Sequence, residues 1–152
     1  MSEEILSIRG TPLRSLMGVQ IIGVGSYVPD RVVTNDDLAR LGCDADWIIK
    51  RTGIRERRHV PPGMTTGDLA TEAGERCLQH AGVDPGQVDL LILATLSPDH
   101  LMPATAPTVQ DRLGLRCAAM DLAAACAGFT YALATAMQFV ANGTSNYALV
   151  LG

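Results

Sequence analysis

Apolar runs and stretches of helical period alternate along this 152-residue chain. Val19-Gln20-Ile21-Ile22-Gly23-Val24-Gly25 is an apolar run closed by glycines, which predicts a buried strand. Val88–Thr95 is apolar throughout except for Asp89 near its start, the pattern of a strand covered on both faces. Ala118–Leu122 and Tyr147–Leu151 predict two further strands. Between these runs the period changes. Leu69, Ala70, Ala73, Cys77, Leu78 and Ala81 recur at helical spacing, so Thr66–Ala81 reads as an amphipathic helix capped by Thr65 or Thr66 and ended by Gly82. Ala104–Leu113 follows Pro103 and carries Pro107 in its first turn, where a missing N–H costs little. Cys126–Ala141 is a third long helix, stopped by Asn142-Gly143.

The N-terminal third is more broken. Thr34-Asn35-Asp36-Asp37-Leu38 has helix-capping chemistry and starts a short helix that Gly42 ends. Asp44–Lys50 begins another, with acids in its first turn. Thr52–Val60 is irregular or a hairpin, closed by Pro61-Pro62-Gly63. Gly23-x-Gly25 is not a dinucleotide fingerprint, because Val28 stands at the third glycine position and Pro29 follows where a helix should open. Strands and helices therefore alternate, which predicts an α/β layered sheet in residues 18–152. No internal repeat is evident.

Composition narrows the picture. Apolar residues make up 47% and charged residues only 18% of the chain, low for a free-standing domain. After Asp121 there is no Asp, Glu, Lys or Arg through Gly152. A helix with no charged face is normally enclosed by protein. The net charge of −4 argues against a nucleic-acid or anionic-membrane binder. Thr130, Thr135, Gln138, many alanines and the lack of a basic flank argue against a membrane span in Leu122–Ala141. The four cysteines and three histidines show neither zinc-ligand nor disulfide spacing, so no metal site is expected and the cytoplasm is the natural compartment. Residues 1–17 carry Glu3, Glu4, Arg9 and Arg14, have no apolar signal core, and read as a poorly ordered extension.

Three groups of residues could carry chemistry. Cys126 stands at a strand-to-helix bend among alanines and a glycine, where helix-start N–H groups favour a thiolate and can hold an oxyanion. The alternative is plain packing, the usual fate of a free cysteine and a ready account of Cys77 and Cys117. Trp47 and Arg51 are one helical turn apart and could sandwich a planar ring. Alternatively, the tryptophan plugs a core edge and the arginine is solvated. Lys50, Arg51, Arg55, Arg57 and Arg58 hold five of the twelve basic residues, suggesting a phosphate or acidic-partner patch or simply a solvated hairpin.

Taken together, Asp46-Trp47-Ile48-Ile49-Lys50-Arg51-Thr52-Gly53-Ile54-Arg55-Glu56-Arg57 and Asp121-Leu122-Ala123-Ala124-Ala125-Cys126-Ala127-Gly128-Phe129-Thr130-Tyr131-Ala132-Leu133 closely resemble the bacterial β-ketoacyl-acyl-carrier-protein synthase III family. Gly23–Pro29 and the stretch from Asn142 to Gly152 match as well, so the resemblance runs from about Gly18 to the last residue. It implies a thiolase-like α/β fold, of which this sequence would form one αβα half of a five-layered αβαβα molecule that dimerises. It implies an acyltransferase that loads an acyl group from acyl-coenzyme A onto Cys126 and condenses it with malonyl-acyl-carrier protein. By match, Trp47 stacks on the coenzyme A adenine and Arg51 flanks the same ring and phosphates. The basic cluster would face coenzyme A phosphates and the acidic carrier protein. No resident cofactor is implied, since acyl-coenzyme A is a substrate.

Two departures carry consequences. In Pro98-Asp99-His100-Leu101-Met102-Pro103, Met102 takes a position where the family often has a phenylalanine reaching into the partner subunit's acyl pocket. Methionine adapts its shape, so a changed primer preference is expected. The family's catalytic histidine and asparagine lie in a second half that this sequence does not contain, and His59, His80 and His100 match no catalytic position. The expectation is an N-terminal half that needs its C-terminal complement for condensation. The rival readings are a ketosynthase III-like acyltransferase of secondary metabolism and a non-catalytic partner subunit.

Overall fold

The structure is a computed structural model and describes residues 18–42 and 44–152. The extension expected over residues 1–17 lies outside the described residues, as does Cys43. The elements in chain order are β1 (Val32–Thr34), a 3-10 turn (Asp36–Leu41), α1 (Ala45–Thr52), β2 (Glu56–Arg58), α2 (Thr66–Ala81), β3 (Leu90–Ala94), α3 (Thr105–Arg112), β4 (Ala118–Leu122), α4 (Gly128–Ala141) and β5 (Ala148–Leu151).

A three-stranded parallel sheet in the order β4-β3-β5 organises the larger part. Strand alternation sends successive side chains to opposite faces. Leu91, Leu93, Leu149 and Leu151 pack with Ala70 and Leu78 of α2 and Ala106 and Val109 of α3. Leu90 and Ile92 face the other way, against Ala132 and Ala136 of α4, with Ala148 and Val150 beside them. The result is three layers, helix–sheet–helix, with β3 at the centre. Leu90, Leu91, Ile92 and Leu93 are all buried, each adding about 1.5–3 kcal/mol by leaving water.

Helix ends follow the expected chemistry. The Thr65 hydroxyl accepts from Asp68 N–H while the Asp68 carboxylate accepts from Thr65 N–H, a capping box that opens α2. Arg112 of α3 bridges to Asp68 at 2.8 Å. The Thr65 N–H bond, with help from Arg112, holds the Asp68 carboxyl below its ordinary range. Asp89 is likewise lowered, by N–H bonds from Asn146 and Tyr147 that fix the approach to β5.

Several expectations are corrected. Val19–Gly25 is not a strand, although its composition predicts one: it runs irregularly over α2, with Ile21 67% exposed. The reason is steric and local. A Cβ on Gly23 would fall 2.6 Å from the Ala81 Cβ, and one on Gly25 would collide with the Ala73 and Cys77 backbone, so both glycines lie flat against the helix. His80 Nδ1 lies 3.1 Å from Val24 N and 3.0 Å from Val24 O, holding the segment there rather than on β5. A cavity of about 870 Å³ remains between this segment, β5, α2 and α4. The helix expected over Cys126–Ala141 is split into a 3-10 turn, Ala125–Ala127, and α4. The charge-free tail is not enclosed: α4 buries Gly128, Ala132 and Ala136, while Phe129 and Tyr131 are exposed.

The N-terminal third forms a small unit of its own. β1 pairs antiparallel with β2, Val32 opposite Arg58, and the 3-10 turn and α1 lie between them in sequence. Thr52–Val60 is therefore no self-contained hairpin; its strand pairs with residues from before α1. Arg57 donates to the Val33 carbonyl and to Asn35 Oδ1, and Arg58 to the Pro29 carbonyl.

Gly25→Ala is expected to lower stability by about 1–3 kcal/mol, the range for forcing extra volume into a packed contact, measured by urea denaturation; an unchanged midpoint would remove the close approach from the account. The two lowered carboxyls also give a pH expectation. Their stabilisation is fully present above the ordinary carboxyl value of 3.8 and is lost as pH falls through the lower folded-state values. Denaturation midpoints at pH 5 and pH 3 should fall in that order, and Asp68→Asn should flatten the difference.

Candidate active site

Cys126 sits at the carboxyl end of the sheet. β4 ends at Leu122, and the chain passes through Ala123 and Ala124 into the 3-10 turn that holds the cysteine. Ala125 has φ +47°, the only non-glycine residue among those described with positive φ. For an alanine this left-handed geometry costs about 1–2 kcal/mol, and such strain collects where a turn must present a side chain. Cys126 itself is exposed, and its thiol is free. Behind the turn, Gly128 packs against Ala94 at the end of β3; a Cβ there would meet the Ala94 Cβ at 3.4 Å. The 3-10 turn runs directly into α4, Ala127 N–H donating to the Ala124 carbonyl and Gly128 N–H to the Ala125 carbonyl, so Cys126 stands at the amino end of the helix dipole.

Cys77 and Cys117 have the opposite surroundings. Burial pushes both thiols up, and the Asp89 charge adds to the effect at Cys117. They take the packing role, on α2 and ahead of β4, beside the first core cluster.

Met102 reaches the same end of the sheet by another route. β3 and β4 are adjacent and parallel, so the loop leaving β3 and the turn leaving β4 emerge together. The Thr95 N–H to Leu122 carbonyl bond, 3.1 Å, carries the ladder one step past the strands. The β3–α3 loop is fixed at its roots. Thr66 Oγ1 donates to the Ser97 carbonyl at 2.6 Å, and the Asp99 carboxylate accepts from Thr65 Oγ1 at 2.9 Å and Gly67 N–H at 3.1 Å. Its tip is not covered: Leu101 is 96% and Met102 90% exposed.

Trp47 and Arg51 lie elsewhere, on α1. The Asp44 side chain caps that helix by accepting from Trp47 N–H at 2.6 Å. The Arg51 guanidinium stands over the indole, 5.6 Å from its centre, and the ring is half exposed beside an open depression lined by Asp44, Ala45, Asp46 and Lys50. The pair is thus real and accessible, not a core plug. α1 packs on the neighbouring 3-10 turn of the N-terminal unit rather than on the sheet, so the structure does not join Trp47 and Arg51 to Cys126 in one pocket. The large cavity described above is lined by none of Trp47, Arg51, Met102 or Cys126. The basic cluster divides: Arg57 and Arg58 are engaged in backbone bonds, while Lys50, Arg51 and Arg55 are exposed. No group of three or more potential metal ligands occurs among the described residues, and no helix among them is long and apolar enough to cross a membrane.

Two residues escaped the sequence reading. Asp121 is the last charged residue before the apolar tail and interrupts a strand; its carboxylate accepts from Thr105 N–H at 2.9 Å and Ala106 N–H at 2.7 Å, at the start of α3. Asp99 receives the bonds given above, and its own N–H donates to Thr105 Oγ1 at 2.8 Å. A charge inside an apolar strand was the available signal, because such a group needs built partners.

Comparison with known proteins places this geometry. The family model for 3-oxoacyl-[acyl-carrier-protein] synthase III matches residues 120–152. A β-ketoacyl-[acyl-carrier-protein] synthase III of Rhodopirellula baltica is 56% identical over 138 residues, 91% of this chain and 40% of the relative. The crystal structure of 3-oxoacyl-[acyl-carrier-protein] synthase III from Aquifex aeolicus superimposes with a TM-score of 0.81 at 42% identity, covering 88% of this chain and 44% of that one. The priming β-ketosynthase of the R1128 polyketide pathway superimposes with a TM-score of 0.79 at 38% identity, over 83% of this chain and 38% of that one. The chain spans about two fifths of the length of the curated relatives it matches.

Ala125→Gly should raise stability by about 0.5–1 kcal/mol, the reverse of the usual alanine-to-glycine effect, because it releases left-handed strain. Ala125→Val should lower it by more than 1 kcal/mol. Urea denaturation of the pair checks both signs.

Proposed function

Because the chain belongs to the β-ketoacyl-acyl-carrier-protein synthase III family and has its thiolase-like α/β fold, we propose that it forms the acyl-loading half of an acyltransferase that starts fatty-acid synthesis. The observation that carries this reading is Cys126, exposed on a strained turn at the carboxyl end of β4, inside the stretch that the family model matches.

In the loading step the Cys126 thiolate attacks the thioester carbonyl of acyl-coenzyme A. A bond from Sγ to the acyl carbon forms, the bond to the coenzyme A sulfur breaks, and coenzyme A leaves to take up the proton that Cys126 gave up. The dipole of α4, whose amino end lies directly after Cys126, favours the anionic states of this exchange. In the second step malonyl-acyl-carrier protein loses carbon dioxide, its freed carbon attacks the acyl carbon, and Cys126 departs as thiolate. The groups that handle the malonyl carboxylate belong to the remainder of the family's length, so the full reaction requires that complement. Trp47 and Arg51 are the coenzyme A contacts: the indole face not covered by Arg51 takes the adenine, and the guanidinium its phosphates. The complete molecule is a homodimer in the cytoplasm. No resident cofactor takes part.

Met102 and the likeness to a priming polyketide ketosynthase favour one variant of this reading, a primer other than acetyl.

Incubation with acetyl-, branched- and medium-chain acyl-coenzyme A, with and without the C-terminal part of a synthase III, should give a single acyl adduct in the intact mass. Peptide mapping should place it on Cys126, and Cys126→Ser should abolish it. Trp47→Ala should raise the half-saturating acyl-coenzyme A concentration about tenfold, in line with an aromatic stacking contact of 1–3 kcal/mol. An adduct on no cysteine under either condition would overturn the reading.

A further inference from the structure

Asn35 stands at the head of the 3-10 turn, where an asparagine side chain ordinarily caps its own helix. This one makes no such bond, and it is 3% exposed. Its amide is spent on other segments. Nδ2 donates to the Ile54 carbonyl at 2.9 Å, and Oδ1 accepts from the Arg57 guanidinium at 2.6 Å. The Asn35 N–H donates to the Arg55 carbonyl at 3.2 Å, one step beyond the β1–β2 ladder. A buried amide needs partners for its donor and its acceptor, and here both lie on the chain that leaves α1.

What this grip holds follows from what α1 lacks. The helix has eight residues, none of them buried. Isolated helices shorter than about 12–15 residues are marginal in water, so α1 depends on how its ends are fixed. The Asp44 side chain closes the amino end on Trp47 N–H. At the carboxyl end, Gly53 N–H donates to the Ile49 carbonyl. Thr52 Oγ1 donates to the Ile48 carbonyl at 2.8 Å and accepts from Ile54 N–H at 3.1 Å. Ile54 is thus held at its N–H by Thr52 and at its carbonyl by Asn35. Trp47 stands in the first turn and Arg51 in the last. The guanidinium–indole contact at 5.6 Å therefore spans the helix, and it lasts only while the last turn stays wound.

Resting on the reading of Trp47 and Arg51 as coenzyme A contacts, we propose that Asn35 is a positioning residue for coenzyme A recognition: its side-chain amide, by holding Ile54, keeps the last turn of α1 wound and Arg51 over the indole. It touches no substrate. Its loss removes the contribution of Arg51 and spares that of Trp47, whose turn is closed by Asp44. The acylation step at Cys126 is left as it was.

Trp47 is the only tryptophan of the chain, so its fluorescence reports binding at the pair directly. In coenzyme A titrations, Arg51→Ala and Asn35→Ala should each weaken binding about tenfold, the order of a lost charge-assisted hydrogen bond. The double variant should be no more than about twofold weaker than Arg51→Ala, because residues acting through one contact are not additive. Asn35→Asp keeps the shape and the Arg57 bond but cannot donate to Ile54. It should match Asn35→Ala, and it covers the case in which alanine leaves the unit unfolded. Thr34→Val breaks the neighbouring 2.7 Å bond to Asp37 without touching Ile54, and should stay within about twofold of wild type. With the C-terminal part of a synthase III present, Asn35→Asp should raise the half-saturating acyl-coenzyme A concentration by the same factor and leave the maximal rate of Cys126 acylation unchanged. Wild-type affinity in a folded Asn35 variant overturns this proposal alone. So does an additive double variant, an equal loss in Thr34→Val, or unfolding of both Asn35 variants, which would make the residue a support of the whole unit. Wild-type affinity in Arg51→Ala, or no coenzyme A binding by the wild-type chain with or without the C-terminal part, overturns the coenzyme A reading and this proposal with it.

Discussion

Burial of β3 between two helix layers is the constraint on which the rest depends. Leu91 and Leu93 face α2 and α3, while Leu90 and Ile92 face α4, and none has more than 2% of its surface exposed. A strand covered on both faces must be flanked by strands whose own alternation agrees with it, and parallel pairing with β4 and β5 meets that requirement. Parallel pairing also sends all three strands out at the same end. The Met102 loop, the Cys126 turn and Gly152 are therefore gathered by the packing of aliphatic side chains, before any polar contact is counted. Asp121 and Asp99 then refine an arrangement that the core has already made.

Much of this was legible in the sequence because the signals were long and consistent. The α2 stripe, its Thr65 cap and its Gly82 stop all agree, and the helix is found over the residues predicted. Val88–Thr95 was read as doubly buried from its unbroken apolar run, and β3 is. Cys126 stood out through the alanines around it, but the turn that presents it could not be read, because a positive φ at Ala125 leaves no mark in residue type. Val19–Gly25 failed for a different reason. Its composition is that of a strand, but a strand also needs a neighbour, and Gly23 and Gly25 press the segment onto α2 instead. The pairing of β1 with β2 was missed because each is only three residues long and α1 lies between them. The basic cluster misled in part, since counting charges cannot tell Arg57, spent on Val33 and Asn35, from the exposed Arg55.

The candidate site divides along the same lines. Cys126 and Met102 belong to the layered sheet, and their relation is set by its geometry. Trp47 and Arg51 belong to the N-terminal unit, whose helix is fixed locally by the Asp44 cap and whose strands are tied by Arg57 and Arg58. The two parts are held differently: the layered sheet has two buried aliphatic clusters, whereas the N-terminal unit buries Pro29, Val33 and Asn35 and no residue of α1. Between them they form no common pocket.

What remains apolar and uncovered follows a pattern. Phe129, beside Gly152 at the end of β5, and Tyr131 are exposed on α4, Leu101 and Met102 are exposed on the loop tip, and the unpaired side of β5 borders the cavity beneath Val19–Gly25. Exposed apolar residues also recur through the N-terminal part, at Ile21, Val24, Val28 and Leu41. The chain spans about two fifths of its relatives' length, and a charge-free stretch of 31 residues after Asp121 would be a poor outer surface for any domain. The same feature bears on chemistry. A helix dipole acts more strongly on a nearby charge when water is excluded, and Cys126, at the amino end of α4, is open to solvent. Protein laid over α4 would cover the exposed Phe129 and Tyr131 and at the same time exclude water from the neighbouring Cys126 turn.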